Sequence, residues 1–157
     1  KYKEKIVGFD TETKPTFKKG EYYLPSLLQL ASSDTVYLFQ IKKCSLSPTL
    51  IKILSNPSII KAGVAINRDI QELKKIRSFN EKGFIELADI ARNAGVQNLG
   101  LRSLTAIFLD HKISKKEQVS NWSKNELTQS QKKYAATDAW LSRELYLIFQ
   151  KKGIIST

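Results

Sequence analysis

Apolar side chains crowd into residues 5–11, where Ile6, Val7 and Phe9 predict a first strand. Residues 14–23 are polar and contain Pro15 and Gly20, the composition of a loop. Two strand-like runs follow, 27–31 and 35–41, joined by Ser32-Ser33-Asp34 as a hairpin. Ser47 suits a helix N-cap and Pro48 a first turn, so a short helix is expected through Ile53. Residues 59–65 read as a strand, after which Asn67 is expected to cap a helix striped by Ile70, Leu73 and Ile76. Residues 84–87 suggest a strand leading to a helix near Ile90, and Gly100-Leu101 open another through Phe108. Residues 110–126 are loop-like, and a long last helix is predicted over 129–151. Strands first, then strand and helix in alternation, predict an α/β domain: a central mixed β-sheet flanked by α-helices. With no repeat or internal linker, residues 1–157 are expected to form a single domain.

Composition narrows the class. A chain of 157 residues with 41% hydrophobic and 10% aromatic residues can bury a core, which excludes a disordered tail. No apolar run approaches the roughly 20 residues that span a bilayer, so a membrane-embedded protein is not expected. Cys44 is the single cysteine, so an internal disulfide is impossible and a reducing, cytoplasmic setting is the expectation. The N-terminus shows no signal-peptide pattern; a start at Lys1 and the lack of Met suggest a domain trimmed from a longer chain. The 26 basic and 15 acidic residues give a net charge of +11, with Lys-Lys pairs from 18–19 to 151–152. Such a diffuse field attracts polyanions, though it is also what a lysine-rich soluble surface looks like. With 21 of the 26 cations being Lys, which lacks the planar fork of Arg, base-specific reading is not expected.

Four acids stand where folding alone does not demand them. Alternation puts Asp10 and Glu12 on one face of the first strand with Ile6 and Gly8, while Val7 and Phe9 point the other way. Two like charges about 7 Å apart repel, unless they merely occupy a solvated strand end. In the last helix Tyr134, Asp138, Leu141, Leu145 and Ile148 step by four, three, four and three, which sets Asp138 in an apolar stripe beside Tyr134. A carboxylate there needs compensation, either a buried Arg or Lys or a bound cation. Asp69 lies in the first turn of its helix, where the dipole favours an acid, and just past a strand end, where open sheets build sites. Carboxylates converging in so basic a chain make sense around divalent ions. Hard oxygen donors suit Mg²⁺ or Mn²⁺, and His and Cys are too few for zinc or iron.

These motifs, Phe9-Asp10-Thr11-Glu12-Thr13, Gly63 to Asp69, and Tyr134-Ala135-Ala136-Thr137-Asp138, resemble those of the DEDD superfamily of 3′–5′ exonucleases. The chain is most similar to the DEDDy branch, the family of ribonuclease D and the Werner syndrome helicase exonuclease domain. Ser120-Asn121-Trp122-Ser123, Leu127-Thr128 and Gln131 resemble the lead-in to the third motif of the Werner type. The sister branch has a His five residues before the last Asp; here that position is Lys133, and Tyr134 lies four before. The resemblance implies a ribonuclease H-like fold and two divalent metal ions, Mg²⁺ or Mn²⁺. Asp10 would bridge both ions, Glu12 and Asp138 would complete one site, Asp69 would hold the second, and Tyr134 would orient the attacking water. The implied partner is nucleic acid, single-stranded or 3′-recessed DNA, or RNA, shortened to nucleoside 5′-monophosphates. A catalytically weak or inactive nucleic-acid-binding domain of the same fold is the alternative. His111, in a loop, is not expected to be catalytic. Phe17, Tyr22, Tyr23 and Trp122 could stack on terminal bases or simply pack.

Overall fold

The computed structural model describes residues 5–155. Among these, five strands, β1 (Ile6–Glu12), β2 (Leu27–Ala31), β3 (Val36–Gln40), β4 (Ile60–Gly63) and β5 (Phe84–Glu86), form one sheet in the order β3-β2-β1-β4-β5. The β1–β2 and β2–β3 pairs are antiparallel, whereas β4 runs parallel to both β1 and β5. The hairpin expected at 27–41 is β2–β3, with Leu27 opposite Gln40 and Ala31 opposite Val36.

Helices α1 (Ile41–Cys44), α2 (Pro48–Leu54), α3 (Asn67–Ile76), α4 (Leu87–Asn93), α5 (Leu101–Leu109) and α6 (Gln129–Lys151) cover both faces. On one face Phe9, Leu28 and Leu30 meet Leu50 and Leu54 of α2 and Leu73 of α3. On the other, Ala62 meets Leu87 of α4, Leu104 of α5, and Leu145 and Phe149 of α6. The mixed sheet between two helical layers is therefore as expected, and β1 lies at its centre.

Two local expectations fail. Asn67 does not cap α3: it is the first helical residue, and Ile66 occupies the N-cap without a side-chain hydrogen bond. Glu86, the N-cap of α4, instead braces the turn before α3, its two oxygens accepting from the Ala65 and Ile66 amides at 2.7 Å each. The strand expected over 59–65 stops at Gly63 because the chain turns through Ala65 at φ 58°, a left-handed conformation. Helix α1, at four residues, is too short for a helical period to be visible in its sequence.

Two features set the position of α6. Thr128 and Gln131 form a capping box, and the buried Gln131 amide also donates to Ser120 Oγ and the Asn121 carbonyl. The preceding loop is thereby tied to the helix start. Further along, Gly8 of β1 lies against the α6 backbone: a Cβ there would fall 1.8 Å from the Ala139 carbonyl oxygen. Only glycine allows strand and helix to approach this closely.

Candidate active site

That contact brings the acids together. Asp10 and Glu12 continue the Gly8 face of β1 toward α6, and Asp138 immediately precedes Ala139. One oxygen from each of Asp10, Glu12 and Asp138 lies within 4.8 Å of the others. Asp138 Oδ1 is buried without a hydrogen-bond partner among the described residues, so no Arg or Lys hydrogen-bonds this oxygen. Bringing several carboxylates into such a space is costly unless protons or cations neutralise them. Burial, then the charges of Asp138 and Asp69, push the Asp10 carboxyl well above its usual range. Burial, Asp10 and Asp138 raise Glu12 to about 10, despite the Gln29 hydrogen bond. Burial raises Asp138 to about 7, with Tyr134 pulling the other way.

Asp69 stands outside this group of three but next to it. Thr11 Oγ1 donates to Asp69 Oδ1 at 2.7 Å, while the Thr11 amide donates to Asp10 Oδ1 at 2.9 Å. One residue thus positions acids from two elements. Burial raises the Asp69 carboxyl, against the Thr11 bond and Arg68. The Tyr134 phenol is pushed up by burial and then by Asp138, Glu12 and Asp10, so it stays protonated and able to donate.

The donor set fits a metal. Three carboxylates share a small volume, one buried oxygen has no partner, and all donors are hard oxygens, as Mg²⁺ or Mn²⁺ prefers. The acids that the sequence singled out are thus assembled around one point, with Asp69 at its margin.

Three supporting residues were missed. Gln29, fully buried and opposite Asp10 in the β1–β2 register, donates weakly to Glu12 Oε1 at 3.4 Å. A glutamine inside the apolar run Leu27-Leu28-Gln29-Leu30-Ala31 was a readable signal. Glu86 caps α4 by accepting from the Ala88 amide, but its reach to the Ala65 and Ile66 amides had no local signal, because they lie about twenty residues away. Thr11 was visible only as the middle of its motif. Trp122, expected either to stack on bases or to pack, is buried against Leu27, Leu127 and Ala135, with its ring 5.9 Å from that of Tyr134. Tyr22 bonds Glu72 and Lys75 on α3, Lys14 lies over the Tyr23 ring, and Phe17 remains largely exposed.

A cavity of about 650 Å³ opens beside Tyr134 and Asp138 and is lined by Arg102 at the start of α5 and by Lys112 and Lys115 in the segment after that helix. Cations along a channel that ends in carboxylates suit an anionic chain with a cation-requiring centre. No helix among the described residues is long and apolar enough to cross a membrane.

Residues 1–154 match the family model described as 3′–5′ exonuclease. The mouse bifunctional 3′–5′ exonuclease/ATP-dependent helicase WRN is 38% identical over 156 residues, covering 94% of this chain and 11% of its own length. Haemophilus influenzae ribonuclease D is 28% identical over 151 residues, covering 93% of this chain and 36% of its own. The chain therefore spans only a minor part of these curated relatives. The Aedes aegypti Nibbler EXO domain superposes with a TM-score of 0.84 at 27% identity, over 96% of this chain and 79% of that one. Escherichia coli RNase D gives 0.81 at 24% identity, over 96% and 41%, a likeness of fold. The shared architecture is the ribonuclease H-like one. With nearly its whole length under one family model, the chain belongs to the 3′–5′ exonuclease family.

Proposed function

We propose that residues 1–157 act as one exonuclease domain that hydrolyses the terminal phosphodiester bond of a nucleic-acid strand from its 3′ end, releasing nucleoside 5′-monophosphates. The observation that carries this reading is the convergence of Asp10, Glu12 and Asp138 oxygens within 4.8 Å, with Asp138 Oδ1 buried and without a hydrogen-bond partner among the described residues. Two divalent ions, Mg²⁺ or Mn²⁺, held by these three and by Asp69 would polarise the scissile phosphate and make a water a better nucleophile. Asp10, which feels the charges of both Asp138 and Asp69, would be shared by the two ions. Thr11 keeps Asp69 facing the group. Tyr134 donates its phenol proton to orient the attacking water in line with the phosphorus, and the indole of Trp122 supports its ring. Water adds to phosphorus, the bond to the 3′ oxygen breaks, and a proton ends on the new 3′ hydroxyl of the shortened strand. Arg102, Lys112 and Lys115 neutralise phosphates along the approach without reading bases. The mouse relative WRN is a 3′–5′ exonuclease by name, which supports the polarity proposed here.

The test is release of mononucleotides from a 3′-labelled strand in Mn²⁺ by the wild type and by Asp10→Ala. Loss of release in the variant, with retained binding and folding, is expected. Equal release by both would overturn the reading, and cleavage of a circular single strand would make the enzyme an endonuclease.

A further inference from the structure

A second cleft lies against the other side of Tyr134. Ser130, Lys133, Thr137 and Trp140 recur along α6 by three, four and three, one outward-facing stripe of the helix. The segment carrying His111, Lys112 and Lys116 faces that stripe across a space of about 470 Å³. Tyr134 and Lys112 line this space and the larger cavity as well, so the two adjoin.

Its chemistry is specific. Trp140 is 40% exposed, whereas Trp122 is 1% exposed and part of the core. Lys112, Lys116 and Lys133 outnumber the one acid present, Glu117, which accepts a hydrogen bond from Ser130 at 2.7 Å. An indole face beside several ammonium groups matches a nucleotide: the base stacks and the phosphate is neutralised. The volume falls within the roughly 300–1,000 Å³ usual for small-ligand pockets.

We propose that the cleft under Trp140 is a second nucleotide subsite, which stacks one unpaired base of the substrate strand on the indole and holds its phosphates with Lys112, Lys116 and Lys133. This inference rests on the exonuclease reading for the identity of its ligand and extends it to a contact away from the scissile bond. The contact lengthens the strand's footprint without touching the reacting atoms, so it tightens binding of long strands over short ones.

The experiment uses thymidylate and uridylate octamers, a thymidylate dinucleotide, and free thymidine 5′-monophosphate, with EDTA present to prevent hydrolysis. The octamers are expected to quench tryptophan fluorescence saturably in the wild type and not in Trp140→Phe. By fluorescence anisotropy, Trp140→Ala is expected to weaken octamer binding about tenfold and leave the dinucleotide unchanged. Lys116→Glu combined with Lys133→Glu should do the same, which guards against a folding defect in the tryptophan variant. With Mn²⁺ restored, KM for the octamer should rise about tenfold in Trp140→Ala while kcat is retained. Unchanged octamer affinity, equal weakening of octamer and dinucleotide, or saturation of the quench by the free monophosphate alone would overturn the subsite. Asp10→Ala separates the two ideas: lost cleavage with intact quenching supports both. Retained cleavage sinks the exonuclease assignment of the carboxylates while leaving the quench as an independent result.

Discussion

Tyr134 owes its chemistry to its neighbours. Burial, and after it the charges of Asp138, Glu12 and Asp10, push its phenol further up, so the hydroxyl keeps its proton to donate well above neutral pH. Removing only that oxygen in Tyr134→Phe leaves the ring packed beside Trp122 and deletes the group proposed to hold the water. The expected result is a fall in kcat of about a hundredfold with KM and oligonucleotide affinity nearly unchanged, measured by single-turnover cleavage. An unchanged kcat would assign Tyr134 to packing alone. The same scale shows the limit of reading residues singly. Asp138 could be recognised from its apolar stripe, since an acid at a core-facing position breaks the pattern. Whether an Arg, a Lys or an ion answers it depends on residues distant in sequence, and only the fold shows its Oδ1 without a partner. Thr11 looked like a spacer because its bond to Asp69 crosses 58 positions.

Between elements, the critical approach is β1 against α6. Gly8 faces the Ala139 carbonyl, with Asp10 two positions further along the strand and Asp138 one position before the contact. Gly8→Ala would force the helix outward. It should lower stability by about 3 kcal/mol in urea denaturation and separate Asp138 from Asp10, weakening Mn²⁺ binding by calorimetry. Normal stability together with normal metal affinity would contradict this account. The elements themselves were largely legible, because a side-chain period of two or near four is a local property. β1, the β2–β3 hairpin, α3 and α6 were all expected near their actual positions. The exceptions share a cause. Asn67 was expected to cap α3 from local preference, yet the N-cap falls one residue earlier, at Ile66 without a side-chain bond, and Glu86 holds the turn before the helix because a parallel strand lies beside that turn. Tertiary contact outweighs local propensity there.

For the whole domain, the concentration of buried acids ties stability to pH and, under the proposed function, to metal. In the fold the protonated forms of Asp10, Glu12 and Asp138 are favoured, since their pKa values lie above those of the unfolded chain. Their stabilising contribution is therefore complete below the ordinary carboxylate range near about pH 4. It is lost as pH rises through about 7 for Asp138 and on toward about 10 for Glu12. The thermal midpoint of metal-free protein should fall between about pH 5 and about pH 9, and saturating Mn²⁺ should flatten that slope. Asp138→Asn should flatten it without metal. A metal-free midpoint that rises over this interval, or a slope that Mn²⁺ leaves untouched, would show that the acids are neutralised in some other way.

The amino-acid order alone determined the element types, the mixed sheet and the identity of the acids, because periodicity and an acid out of place are written in neighbouring positions. The tertiary structure decided what surrounds them. It set the glycine-permitted contact that brings β1 to α6, the strand-to-turn clamp by Glu86, the threonine linking two motifs, and the burial of one tryptophan with the exposure of the other. Each of these joins groups far apart along the chain. Such pairings depend on the free energy of the assembled core, and no local pattern encodes them.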